Sequence, residues 1–184
     1  CEPQLARLFA HCEGVGHVVV RGQPLPQHDL QAPLMSLPML CGTTPQKIPA
    51  ETPYLLPDAA DVARWRAELA DDDAFKIGIV WRGNAANVMD RRRSIPLDEF
   101  APLVSLPGVS LYSLQVGASR EELSSNAAMW TITDLGDRLT DFHETAAVVR
   151  SLNLVVTCDS APAHLAGGLG VEVWVALPHV PDWR

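Results

Sequence analysis

From Lys76 onward, short apolar runs alternate with helix-patterned segments five times, and that alternation sets the fold. The runs are Lys76–Trp81 (KIGIVW), Val109–Leu114, Trp130–Thr133, Leu154–Thr157 and Val171–Leu177. Each is apolar on successive residues, the pattern of a strand covered on both faces. Between them the sequence predicts helices over Leu97–Val104, entered through Ser94 and Pro96, over Ser119–Met129, over Asp141–Ser151, and over Ala161–Leu169, stopped by Gly170. Ser119 with Glu122, and Asp141 with Glu144, have capping-box spacing. Strands joined through helices read as α/β: a Rossmann-like, doubly wound parallel sheet of order 3-2-1-4-5. That order puts strand one beside strand four. Ligands bind such sheets at the switch point between the carboxyl ends of those two strands. The two least ordinary loops, Arg82–Ser94 and Cys158–Pro162, follow those strands.

The 184 residues suffice for one domain and part of another, and 47% hydrophobic residues supply a core. No uninterrupted apolar segment reaches the ~20 residues a membrane helix needs. With 14 basic and 22 acidic residues the net charge is −8, which argues against nucleic acid as a partner. Cys1, Cys12, Cys41 and Cys158 form no CxxC pair and the histidines lack metal-ligand spacing, so neither a metal nor a cofactor is expected. Free thiols in a reducing, cytoplasmic setting are the simpler expectation than disulfides.

The first third differs. Gln4–Ala10 has a helical pattern and Val15–Arg21 (VGHVVVR) reads as a strand. Eight prolines between Gly22 and Pro57 forbid long helices and central strands there. Leu34–Leu40 is apolar but broken by Pro38. If exposed, it would mark the face of a lost partner domain or of a homodimer. Asp58–Leu69 reads as a helix capped by Asp58, with Val62, Trp65, Arg66 and Leu69 on one side. The expected organisation is 1–57 as the end of a preceding domain, 58–74 as a linker helix and 75–184 as the sheet domain. The sheet domain is expected to lack its last helices.

Several segments can carry chemistry. Asp159-Ser160-Ala161-Pro162-Ala163-His164 follows strand four, opens a helix and places N–H groups at the crevice, the arrangement that binds anions. A capped helix with a satisfied histidine is the plainer alternative. Arg82-Gly83-Asn84 ends strand one and offers donors beside a glycine; a simple turn is the alternative. Arg91, Arg92 and Arg93 cluster in an acidic protein, and guanidinium forks match phosphate oxygens. A solvated charged face is the alternative there. Asp134 and Leu135, after strand three, are candidates for a base pocket, and Glu144 with Thr145 for a ribose contact; a turn and a helix cap compete with those roles. Ser160 has no GxSxG elbow, and a serine and histidine four apart on a helix are no triad.

KIGIVWRGN, RRRSIPLDEFAPL, SLYSLQVG, DLGDRLTDFHETAAVV and LVVTCDSAPAHLAGGLGVEVWVALPHVPDWR together resemble the carboxyl-terminal half of bacterial heptosyltransferase-like glycosyltransferases, glycosyltransferase family 9. The version joined to tetratricopeptide repeats is the most similar, and LMSLPMLCGTT with IPAETPYL resembles the stretch before its linker. The resemblance implies a GT-B architecture, with a nucleoside-diphosphate sugar held mainly by the second Rossmann-like domain and a sugar, lipid or protein acceptor on the first. It implies Asp159, Ser160, Ala161 and His164 at the donor's phosphates and sugar, and a basic residue of Arg91–Arg93 at the diphosphate, with no metal required. It also places the acidic catalytic base in an amino-terminal part not present here, so no catalytic residue is assigned. The expected function is therefore donor binding for hexosyl or heptosyl transfer. A noncatalytic nucleotide-sugar module or an interaction domain is the alternative.

Overall fold

The structure is a computed structural model that describes residues 1–84, 90–126 and 130–180. Its helices and strands, in chain order, are α1 (Pro3–Phe9), α2 (Leu37–Leu40), α3 (Ala59–Glu68), β1 (Phe75–Val80), α4 (Asp90–Arg93), α5 (Ala101–Val104), β2 (Val109–Ser113), α6 (Glu121–Asn126), β3 (Ile132–Asp134), α7 (Phe142–Val149), β4 (Leu154–Cys158), α8 (Ala161–Gly168) and β5 (Val173–Ala176). The five strands form one sheet of order β3-β2-β1-β4-β5, parallel throughout. Topology and order are those expected from the sequence. Ile77 pairs with Leu111 on one side and Leu154 on the other, so β1 and β4 end side by side.

Both faces of the sheet are covered. Ile77, Ile79 and Trp81 pack with Leu97, Phe100, Leu111 and Leu154 on one face, beneath α5. Val80, Leu114, Val155 and the α7 run Ala146–Val149 pack with Leu165, Ala166 and Leu169 of α8 on the other. Helices before and after β4 thus lie opposite those around β2, the arrangement that opens a crevice between β1 and β4.

The second face also takes in the chain's first third. Leu8 of α1 is 1% exposed and Trp65 of α3 is fully buried in the same core as α7. Tyr54 and Leu55 both donate backbone N–H to the Gly168 carbonyl (2.9 and 3.0 Å). A Cβ on Gly168 would sit 2.7 Å from a Leu55 methyl and 2.9 Å from the Tyr54 ring, so a larger residue would have to displace those side chains. The Asp58 cap is present, its carboxylate accepting from Ala60 N–H at 2.7 Å.

Local expectations are corrected in three places. Val15–Arg21 is not a strand; no ladder forms beside it, and Arg21 N–H reaches the Cys1 carbonyl instead (2.8 Å). A strand needs a hydrogen-bonded neighbour, and the proline-rich segment that follows cannot supply one. Where one helix over Ser119–Met129 is expected, a 3₁₀ turn leads into the shorter α6, and the Glu122 carboxylate of the expected box pairs with Arg82. The last expected residues of that helix, 127–129, lie outside the described residues. The strand boundaries move by one or two residues, most at β3 and β5.

Leu34, Met35, Met39 and Leu40 are exposed. All four cysteines are free thiols, with Cys158 buried and its ionisation pushed upward by that burial. Among the described residues no helix is long and apolar enough to cross a membrane.

Candidate functional site

Chain connections leave β1 and β4 toward opposite faces, and a cavity of about 510 Å³ opens at their carboxyl ends. Its apolar wall includes Val80, Leu114, Leu139, Phe142 and Pro162; polar groups come from Gln115, Thr140, Asp141, Thr145 and Ser160. Arg82, Gly83 and Asn84, directly after β1, line it, as does Ala161 at the start of α8. An apolar cleft with a few convergent polar groups is the usual form of a small-molecule site.

Gln115 fixes the end of β1. It is 3% exposed, and its side-chain oxygen accepts from the backbone N–H groups of Trp81 (3.2 Å) and Arg82 (3.0 Å). Its amide nitrogen donates to the Val116 carbonyl at 3.2 Å. The glutamine thereby satisfies two donors that the sheet leaves unpaired where β1 runs out. The Arg82 guanidinium, next in line, is ion-paired with Glu122, which strengthens its hold on its proton. Sequence reasoning missed Gln115. The available signal was a glutamine ending the apolar run SLYSLQ, where a buried amide must have backbone partners.

The loop after β1 is tied to the loop after β4. Asp90 is 8% exposed; it accepts from Arg93 Nε (3.3 Å) and from the Ser94 hydroxyl (3.1 Å). Arg93 Nη1 then donates to the Asp159 carbonyl at 3.0 Å. This pair lies against Gly83: a Cβ there would be 2.5 Å from Asp90 Oδ1 and 2.6 Å from Arg93 Nη2. Asp90 is a second residue the sequence reading passed over. An acidic residue opening an arginine run was the clue.

At the start of α8 the Ser160 side chain does not cap the helix. Its hydroxyl turns back to the Cys158 carbonyl (3.2 Å) and faces Thr157 Oγ1 (3.4 Å). Among the described residues no side chain caps the turn that opens on the cavity.

Of the residues singled out from sequence, Arg82, Asn84, Thr145, Ser160 and Ala161 come together on the cavity wall. Thr145 Oγ1 also donates to the Asp141 carbonyl (2.9 Å). Arg93 and Asp159 meet at the junction of the two loops. Arg92 is exposed, and the Arg91 side chain lies outside what is described. His164 is exposed on α8 and does not line the cavity. Asp134 and Leu135 are also away from it. Asp134 pairs with Arg120 (2.7 Å) and accepts from Gly136 N–H (3.0 Å), while Leu135 is buried in the core. Glu144 faces α3: its carboxylate accepts from the Trp65 indole N–H at 2.8 Å and pairs with Arg64. Glu144 and Thr145 are adjacent in the chain, but neighbours on a helix point about 100° apart, so they serve different surfaces.

The fold and the crevice define a class: a Rossmann-like α/β domain with a parallel sheet, open at its switch point. Its structure is similar to that of the ADP-heptose LPS heptosyltransferase II of E. coli, with a TM-score of 0.52 and 16% sequence identity, over 71% of this chain and 41% of that one. In sequence the chain is 28% identical over 146 residues to protein FlbA of Caulobacter vibrioides, covering 76% of this chain and 24% of FlbA. No family model matches. The chain therefore spans about a quarter of the one relative and less than half of the other.

Proposed function

We propose that this chain is the donor-binding part of a heptosyltransferase-like glycosyltransferase, and that it holds a nucleoside-diphosphate sugar in the β1–β4 crevice. The observation that carries the reading is the cavity itself. It lies at the switch point, and its lining combines apolar side chains with Arg82, Asn84 and the start of α8, where no side chain caps the helix. The apolar side chains suit a nucleoside. The polar residues suit its diphosphate, because the Ala161 N–H, the positive end of the α8 dipole and the Arg82 guanidinium favour anions. Transfer of the sugar leaves negative charge on the departing nucleoside diphosphate. Donors already fixed at that position stabilise the charge as it forms, without a metal. Arg93 joins the two loops that carry those donors, with Arg91 and Arg92 beside it in the chain as further phosphate contacts. In this reading 75–184 is the donor domain, 58–74 its linker and 1–57 the end of an acceptor-side domain. The acceptor is a sugar, lipid or protein.

The test is calorimetric titration of the chain with UDP, GDP and ADP, first without and then with magnesium. Saturable heat with one diphosphate, unchanged by magnesium, is the expected result. Absence of heat with all three would reject the donor site.

A further inference from the structure

One residue lining the crevice does not belong to the sheet domain. Gln4, in the first turn of α1, lines the same cavity as Val80, Leu114 and Ala161, although 71 residues separate it from the start of β1. The helix carrying it is firmly seated. Leu8 is buried against α7, and Arg7 pairs with Asp61 and lies 3.6 Å from Glu144. The Gln4 side chain itself is exposed, and no hydrogen bond to it occurs among the described residues. A surface residue that lines a cavity and is held in place by its helix is available to a ligand.

The chemistry of the Gln4 amide limits what it reads. It is neutral, with two donor hydrogens and an acceptor oxygen, so it complements a neutral edge that itself both donates and accepts. Phosphate only accepts and belongs with Arg82 and the start of α8. α1 packs on α7, and Gln4 lines the cavity together with Leu139, Thr140, Asp141 and Phe142, which lead into α7; the two apolar side chains among them suit a planar base. We infer that Gln4 hydrogen-bonds the base of the bound nucleotide, making α1 the element that selects among nucleosides. This rests on the donor-binding reading above.

The experiment compares the chain with its Gln4→Ala variant by calorimetry against UDP, GDP, ADP and inorganic pyrophosphate. Gln27→Ala, an exposed glutamine outside the cavity, is the control. The expected result for Gln4→Ala is about tenfold weaker binding of the preferred nucleoside diphosphate, the scale of one lost hydrogen bond, together with a smaller preference among the three bases and unchanged affinity for pyrophosphate. Equal affinity for the preferred diphosphate in Gln4→Ala and the parent chain would overturn the inference. So would a uniform loss that includes pyrophosphate, since that would make Gln4 a support for the helix and not a reader of the base. If the parent chain binds none of the three diphosphates, the donor-binding reading fails first and the role of Gln4 falls with it.

Discussion

Replacing Gln115 with leucine keeps the side chain's approximate bulk and removes the acceptor that closes the end of β1. Two backbone donors lose their partner, Trp81 N–H and Arg82 N–H. Trp81 is fully buried, so no water can replace the lost oxygen, and an unsatisfied buried donor costs about 1–3 kcal/mol. Arg82 is half-buried at the cavity wall, where solvent recovers much of its loss. The freed Val116 carbonyl is in a similar position. The leucine gains back some apolar burial, so a net loss of about 2 kcal/mol is expected. In urea, with a slope of about 2 kcal/mol per molar for a chain of this size, the unfolding midpoint should fall by about 1 M at unchanged slope. The same variant should bind nucleoside diphosphate more weakly at temperatures where it is fully folded, because Arg82–Asn84 is no longer pinned. A midpoint within about 0.2 M of the parent would refute the argument that Gln115 satisfies otherwise orphaned donors.

Gly83→Ala should lower the melting temperature, since the added Cβ displaces the buried Asp90 carboxylate as well as the Arg93 tip. It should also weaken nucleoside diphosphate binding in calorimetry, because that displacement breaks the Arg93–Asp159 tie. The combined Arg91→Ala, Arg92→Ala, Arg93→Ala variant should lose at least ~1.5 kcal/mol of diphosphate affinity, the value of a charge-assisted bond; full affinity would remove these arginines from the phosphate site. His164→Ala should fold with parental stability, because the side chain is exposed, and thermal unfolding checks this directly. On acidification the chain should lose stability below about pH 4. Hydrogen bonding from Arg138 holds the Glu68 carboxyl below its usual range, and the Tyr112 hydroxyl does the same for Asp72. A depressed carboxyl contributes stability above its unfolded pKa and loses it as pH falls through its folded value. Tyr112→Phe should therefore flatten part of that acid limb in melting curves taken across pH 2–5.

The sheet was legible because a buried parallel strand leaves an unmistakable apolar run, and because strand–helix alternation admits few topologies. The switch point followed from the order, and with it the meeting of the Arg82 and Ser160 loops. Side-chain direction was not legible. Glu144 and Thr145 carry adjacent numbers, yet one serves Trp65 and the other the cavity, a choice made by where α3 packs. Asp134 was claimed by Arg120, fourteen residues earlier, which no local pattern announces. Gln4 stayed invisible for a related reason: its part in the crevice depends on the docking of α1 against α7, a contact between distant segments that periodicity does not encode.

That docking also sets an order of events during synthesis. Leu8 and Trp65 have their burial site on α7, and the Trp65 indole finds its acceptor 79 residues further on. At about 5–20 residues per second the ribosome needs several seconds to deliver that stretch. Through this interval the apolar faces of α1 and α3 have no native surface to cover them. The first third of the chain is thus the earliest to emerge and among the last to be settled, and its exposure to chaperones and proteases is fixed by the translation rate of the residues that follow it.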